Sequence, residues 1–233
     1  HRWWHRASAL SLVALYLLIG RPSAQESPTL SAMQDEMKRS MAELRMKGEA
    51  APYYIAYEVL DRTMSDMSAR LGAIVENPPR RSRTLRVEVR VGDYTFDSSR
   101  FISGAGPSGV GTARLPIDDD PAAIRRQIWL TTVSAYKRAV NEFSRKKAAF
   151  QNRAETESIP DFSYEPPVER LEARMTLVAT TGPWSERVHQ ISGVFLSTPD
   201  VQGSDVVFTE TRGTRYYVTS EGTKVVMPIQ SAM

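Results

Sequence analysis

An alternation of apolar and polar residues between Arg83 and Val91 is the clearest periodic signal in the chain. Four apolar residues occupy every second position, namely Leu85, Val87, Val89 and Val91. A period of two is typical of a β-strand, and one apolar face opposite one charged face favours an antiparallel sheet covered on one side. Residues 53–60 and 67–75 alternate in the same way, and we predict that they form the strands beside it.

Polar residues between these segments predict where the chain turns. Asp61-Arg62-Thr63 is expected to be a turn between the first two strands. The residues that follow Asn77-Pro78-Pro79 include Arg80, Arg81 and Arg83, and their acidic neighbours favour a solvated turn over an anion site. Further along, residues 206–209 and 216–219 are predicted to form a hairpin around Arg212-Gly213-Thr214.

Apolar residues at spacings of three and four predict the helices. A first helix is expected from Ser27-Pro28 to about Leu44, with Arg45 and Lys47 in its last turn and Gly48 after it. Its methionines are expected in the core. A long helix is expected from Pro121 to about residue 152, across the apolar face of the sheet. A short amphipathic segment over residues 168–175 and a helix from Gly182 onward follow. The predicted fold class is α+β, an antiparallel sheet covered by long amphipathic helices.

The first residues have a different composition from the rest. Residues 1–6 are basic, residues 7–20 are apolar, and Ala24 provides a small residue for cleavage. This order is typical of a secretory signal peptide over residues 1–24, and the apolar run is shorter than the roughly 20 residues of a spanning helix. We therefore expect an exported, periplasmic protein without a permanent membrane anchor. Residues 25–233 are expected to form the domain, with a polar linker near residues 153–167.

Charge and cysteine content exclude several classes of function. Loss of residues 1–24 removes Arg2, Arg6 and Arg21, which lowers Lys+Arg from 30 by three, to the 27 of Asp+Glu. A neutral chain has no basic field for nucleic acid, so no nucleic-acid partner is expected. The sequence contains 0 Cys, which excludes disulfides and thiol chemistry.

The remaining candidate motifs have structural explanations. Residues 104–109 match GxGxxG, but Pro107 interrupts them and no helix follows directly, so a surface loop over residues 103–112 is predicted. Asp118-Asp119-Asp120 precedes Pro121, which favours an N-cap at Asp120 over a metal site. His189 is the single histidine of residues 25–233 and has no partner at ligand spacing. No catalytic, cofactor-binding or metal-binding residue is assigned.

Several phrases of the sequence resemble a known family. Residues 81–94, 118–136, 160–163 and 215–223 are similar to the N-terminal half of exported bacterial TldD/PmbA proteins, and the likeness runs from about residue 31 to residue 226. The resemblance implies a metallopeptidase whose zinc is held by a His-Glu-x-x-x-His helix and a later cysteine, and some members are labelled modulators of DNA gyrase. No residue of this chain matches those ligands, so we expect no cofactor here and a zinc in a C-terminal half. His1 in place of an initiator Met also suggests a longer reading frame.

Two functional hypotheses follow from these observations. In the first, the chain is the accessory, substrate-enclosing region of an exported zinc peptidase, and its partners are an extended peptide and a catalytic C-terminal half or homologous subunit. In the second, it is a stand-alone periplasmic peptide-binding or scaffold domain without catalysis. That domain would add a peptide strand at the sheet edge or along the aromatic strand of Tyr53, Tyr54 and Tyr57.

Overall fold

A computed structural model describes residues 27–101, 109–151, 159–175 and 182–233. These residues form a sheet with helices on one face, and the predicted α+β fold is confirmed. In chain order the elements are α1 (Pro28–Glu43), β1 (Pro52–Arg70), β2 (Ala73–Glu76), β3 (Arg80–Val91), β4 (Val110–Arg114), α2 (Pro121–Phe150), β5 (Glu169–Leu171), α3 (Gly182–Gly193), a 3-10 helix (Val194–Ser197), β6 (Val206–Thr219) and β7 (Lys224–Ala232).

The strands form one sheet of seven strands in the order β4-β3-β1-β6-β7-β5, and β2 pairs with the end of β1. All pairs are antiparallel except β5 with β7, which is parallel. The alternating strand β3 lies beside β1, as the sequence predicts, with Leu85 opposite Val59. Its other neighbour is β4, not residues 67–75, because those residues continue β1 and return as β2.

Two predicted turns are wrong, and they fail at the same place in the sheet. β1 continues through residues 61–63, and β6 continues through residues 212–214. The two stretches lie side by side, so their backbone groups satisfy one another as ladder partners. The three pairs are Asp61 with Thr214, Arg62 with Gly213, and Thr63 with Arg212.

The main core lies between the sheet and helices α1 and α2. Met33, Ile128 and Tyr136 pack there against the inward side chains of β1 and β3, such as Val59 and Val87, and all are almost fully buried. The methionine stripe of α1 is therefore core, as predicted. Burying such side chains contributes about 1.5–3 kcal/mol each.

Helix ends follow the predicted capping chemistry in part. The Asp120 side chain accepts a hydrogen bond from the Ala122 amide at 2.9 Å, so its predicted role as N-cap of α2 is confirmed. α1 ends at Glu43, before Arg45 and Lys47, so the prediction that these two residues lie in its last turn is wrong. Within the described residues, no helix is both long and apolar enough to cross a membrane.

A smaller core lies under α3 at the far end of β1. Met67 and Phe208 are buried there with Val188, and Trp184 stacks on Phe208 with ring centroids 4.8 Å apart. α3 begins at Gly182, as predicted, while the expected amphipathic segment contains the short strand β5.

Some predictions fall outside the described residues. These are the signal peptide over residues 1–24, the GxGxxG loop up to residue 108, and the linker over residues 152–158. The rest of the predicted loop is partly wrong, because Val110–Arg114 is β4. Residues 159–167 have no helix or strand, and Phe162 donates its amide to the Tyr94 carbonyl at 3.0 Å, which fixes them against the sheet.

Candidate functional site

The face of the sheet opposite the helices, which we call the outer face, is the broadest exposed surface with ordered chemistry. Cross-strand pairing places its side chains in rows that run from β4 to β7. One row is Thr112, Arg86, Glu58, Tyr217 and Val225, and the next is Arg114, Thr84, Leu60, Arg215 and Met227. The inward side chains of the same strands pack on the helices, so the described helices leave this face uncovered.

Arginines dominate the outer face. Arg62, Arg86 and Arg114 are exposed, and the side chains of Arg62 and Arg114 form no hydrogen bond or ion pair with the part of the chain that the structure describes. Arg215 is different, because its Nε lies 2.6 Å from the Glu58 carboxylate. A shallow depression of about 450 Å³ is lined by Arg86, Arg114 and Leu60, among others. The face therefore offers hydrogen-bond donors and positive charge beside the apolar side chain of Leu60.

An aromatic cluster closes one end of the outer face. The Phe162 ring lies 5.0 Å from Tyr54 in an edge contact and stacks on Tyr94 at 5.8 Å. The Arg90 guanidinium lies 3.9 Å from the centroid of the same phenyl ring. Tyr94 also donates a hydrogen bond to Glu221, which raises the pKa of Tyr94 to about 12. The cluster joins the 159–167 segment to the sheet through apolar and cation–π contacts.

A buried ionic group supports this aromatic end. Tyr53 donates its hydroxyl to Asp97 at 2.7 Å, and the Arg90 Nη1 lies 3.2 Å from the same carboxylate. Burial would raise the pKa of Asp97, but hydrogen bonds from Ser99 and Tyr53 outweigh it and lower that pKa. Burial and the bond to Asp97 raise the pKa of Tyr53, so the phenol stays protonated. These groups hold the structure rather than move protons.

The same end contains a buried lysine. Lys146 of α2 is 2% exposed, and its Nζ lies 2.5 Å from the Asp161 carboxylate and 2.8 Å from the Ser99 carbonyl. Asp161 also accepts the Asp97 amide at 2.8 Å. One lysine thus connects the long helix, the turn after β3 and the 159–167 segment.

The helix-covered face has a polar seam between its two cores, centred on Asp61. Arg81 donates from Nε and Nη2 to the two carboxylate oxygens of Asp61, at 3.1 and 2.9 Å. Arg83 donates to Asp61 Oδ2 at 3.0 and 2.7 Å, and also to Asp119 Oδ1 at 2.8 Å. Burial would raise the pKa of Asp61, but the hydrogen bonds from both guanidinium groups lower it. Both carboxylate oxygens of Asp61 are thus satisfied by guanidinium groups.

The predicted solvated turn at Arg80, Arg81 and Arg83 is therefore wrong. All three lie on β3, and Arg83 is 2% exposed, because the carboxylates of Asp61 and Asp119 compensate its burial. Arg80 pairs with Asp66 on β1. The sequence does not show Asp61 as the partner of Arg81 and Arg83, since 20 and 22 residues separate the pairs along the chain.

The aromatic strand cannot take up an added peptide strand. β1 is paired with β3 on one side and with β6 on the other from Ala56 to Met64, so its backbone groups are occupied. Tyr57 is fully buried, and its hydroxyl donates to Ser40 at 3.0 Å. That part of the second hypothesis is corrected, and only the outer strands of the sheet could accept a peptide.

Within the described ranges there is no group of three or more His, Asp or Glu side chains that could hold a metal ion. His189 lies at the turn between β1 and β2, where its Nδ1 donates to the Gly72 carbonyl at 2.6 Å. No sequence observation assigned a metal ligand, and the described residues suggest none.

The chain was compared with protein families, curated proteins and solved structures. No family model and no curated protein matches the sequence. Similar solved structures include TldE from Thermococcus kodakarensis, a member of the TldD/PmbA family, with 12% identity, a TM-score of 0.49 and coverage of 86% of this chain and 37% of that one.

Two further similar structures are proteins described as proposed modulators of DNA gyrase. The one from Thermotoga maritima has 10% identity and a TM-score of 0.40, over 86% of this chain and 38% of that one. The one from Bacteroides thetaiotaomicron has 8% identity and a TM-score of 0.46, over 90% and 40%. The chain thus spans less than half the length of each of these proteins.

Proposed function

We propose that this chain is the substrate-enclosing, non-catalytic region of an exported zinc peptidase of the TldD/PmbA type. Its outer face forms one wall against which an extended peptide lies, and a C-terminal half or a homologous subunit supplies the zinc. The observation that carries the proposal is the outer face itself, a row-ordered surface with unpaired arginines and no covering helix in the described residues.

The geometry of the outer face suits an extended peptide. Five adjacent strands at about 4.8 Å spacing give a surface about 20 Å across, and its rows repeat along each strand at two-residue intervals. An extended peptide presents its own side chains with the same period of two. Arg114 on β4 and Arg215 on β6 lie in the same row as Leu60, on opposite sides of it, and Arg86 lies in the next row. The face therefore favours a peptide with acidic and apolar residues in alternation.

The sequence phrases that resemble the family lie in the wall itself and in the helix behind it. Residues 81–94 form most of β3 and the turn after it, and residues 118–136 form the capping residues and the first half of α2, which packs on β3. Residues 215–223 lie at the end of β6, which forms the wall's other half. The resemblance therefore supports the same role for the sheet, and the basic and apolar composition of residues 1–24 supports export.

A binding assay on the full chain tests this role. The probes are two fluorescein-labelled octapeptides, one alternating Glu and Leu and the other alternating Lys and Leu. We expect the acidic peptide to bind more tightly by tenfold or more at low salt, and the difference to shrink as salt screens the charges.

A triple variant locates the binding. Arg62→Gln, Arg86→Gln and Arg114→Gln together remove three outer-face charges, while Lys38→Gln, Arg126→Gln and Lys137→Gln remove three exposed charges from the helices. We expect the first triple variant to lose most of the affinity and the second to keep it. Equal loss in both, or no preference for the acidic peptide, would contradict the proposal.

One specific observation supports the stand-alone peptide-binding hypothesis. β7 pairs with β5 only through residues 224–226, so residues 227–231 have no strand on their second side in the described structure. An added strand could pair there, although Pro228 removes one donor. Peptide binding that survives the outer-face triple variant but is lost on N-methylation of the peptide backbone would favour this alternative.

A further inference from the structure

A cleft opens beside the polar seam on the helix-covered face, away from the outer face. It has a volume of about 280 Å³ and lies where Arg81 and Arg83 of β3, Thr214 and Tyr216 of β6, and Arg174 meet. Asp61, Asp119, Ser27 and Met175 complete its lining. This volume is far larger than a single ion and approaches the lower end of small-molecule sites.

The acidic groups in the cleft are already occupied as acceptors. Asp61 accepts four hydrogen bonds, two from each of Arg81 and Arg83. Asp119 accepts from Arg83 at 2.8 Å. Since both carboxylates pair with guanidinium groups, neither favours a cationic ligand.

Several donors in the cleft are unused. Arg174 is exposed and forms no hydrogen bond or ion pair with the described residues. Arg81 uses Nε and Nη2 for Asp61, which leaves Nη1 without a partner in the same part of the chain. Thr214 Oγ1 accepts the Met175 amide at 3.2 Å and Tyr216 accepts from Ser27 at 3.3 Å, so both hydroxyl protons remain available.

The net charge of the cleft also favours an anionic ligand. Three guanidinium groups, from Arg81, Arg83 and Arg174, face two carboxylates, from Asp61 and Asp119, so the cleft has one uncompensated positive charge. A planar guanidinium matches a carboxylate in a two-bond geometry, and hydroxyl groups can complete its shell. From the unused donors and the net charge we propose that the cleft binds the carboxylate of a small ligand of amino-acid or dipeptide size. The proposal does not rest on the outer face.

The test is a titration of the full chain by amide-resolved NMR with N-acetylglycine, N-acetylglycinamide and inorganic phosphate. N-acetylglycine should shift the Met175 and Thr214 resonances and saturate. Its amide, which has the same shape without the carboxylate, should bind at least tenfold more weakly. Equal binding of the amide, no saturable shift with N-acetylglycine, or tighter binding of phosphate would overturn the assignment.

Three variants locate the site. Arg174→Gln and Arg81→Gln each remove one unused donor group, while Arg83 still compensates Asp61 in both. We expect each to weaken N-acetylglycine binding about tenfold or more. Arg126→Gln, which removes one exposed charge from α2, should leave binding unchanged. Wild-type affinity in both cleft variants, or an equal loss of affinity in Arg126→Gln, would overturn the proposal. Circular dichroism checks that each variant is folded.

Discussion

Arg83 Nη2 lies 2.7 Å from Asp61 Oδ2, and both side chains are buried between the two cores of the sheet. The pair joins β3 to β1 in the middle of the fold, and Asp119 extends it to the loop before α2. Because the two opposite charges compensate each other's burial, this ion pair stabilises the polar seam.

Replacement of Arg83 by Met should destabilise the fold strongly. The substitution keeps much of the side-chain volume but removes both of its ion pairs, and breaking a buried pair costs about 3–5 kcal/mol. Arg86→Met on the outer side of the same strand is the matched control, and we expect less than about 0.5 kcal/mol there. Urea unfolding of both variants measures the difference, and equal midpoints would show that Arg83 does not stabilise the seam.

Acid should weaken the protein through Asp61. The folded-state pKa of Asp61 lies below its ordinary value of 3.8, so the ionised form is the one that folding favours. Its contribution is complete above the unfolded pKa and is lost as pH falls through the folded pKa. We expect the free energy of unfolding to fall below about pH 4–5. The Asp61→Asn variant should be less stable at pH 7, and its free energy of unfolding should change less between about pH 5 and pH 3. A change as large as that of the wild type would show that Asp61 does not cause the acid destabilisation.

Gly213 should tolerate no side chain. A Cβ atom at this position would lie 2.4 Å from the Asp61 carbonyl oxygen and 2.9 Å from Arg62 Cα, both backbone atoms that cannot move without the sheet. Gly213→Ala should therefore cost about 1–3 kcal/mol. Gly203→Ala, where nothing lies within 4 Å, is the control and should stay near zero. Thermal unfolding compares the two, and similar melting temperatures would show that β1 and β6 are not so closely apposed.

Local patterns predicted the elements whose signals lie within a few residues. The period of two in β3 and the Asp120-Pro121 start of α2 both depend on neighbours in the sequence, and both are confirmed. The predicted turns at residues 61–63 and 212–214 are wrong because the backbone groups of the two stretches pair with each other across the sheet. The Asp61 side chain is satisfied by Arg81 and Arg83.

The outer face could not be predicted from the sequence, because it depends on pairing between segments that are distant along the chain. Arg62, Arg86 and Arg114 share a face only because three strands pair in one register, and that register is not written in any single segment. The long strand could nevertheless have been predicted, because the alternation of residues 53–60 continues to Met67. Asp61 and Thr63 occupy inward positions of that alternation. Counting polar residues as possible inward positions would have predicted the long strand.

The chain alone should not bind zinc tightly. A catalytic zinc needs about three converging protein ligands, and His189 has no acidic or histidine partner among the described residues in such a group. After dialysis against zinc and then buffer, we expect well under one equivalent of metal and no chelator-sensitive cleavage of an unstructured peptide. One tightly held equivalent with chelator-sensitive cleavage would reveal an unrecognised site in this chain.

Site-directed cross-linking tests the central claim most directly, since a chain with 0 Cys allows a single reactive thiol to be placed at will. Thr84→Cys puts it in the middle of the outer face, between Leu60 and Arg114, and Lys137→Cys puts it on the exposed side of α2. The probe is the alternating Glu–Leu octapeptide with a bromoacetyl group, used at a concentration where labelling is limited by binding. We predict rapid labelling at position 84 that unmodified peptide suppresses, and slow, unsuppressed labelling at position 137. Equal rates at the two positions, or no suppression at position 84, would contradict the account of the outer face as a peptide-holding wall.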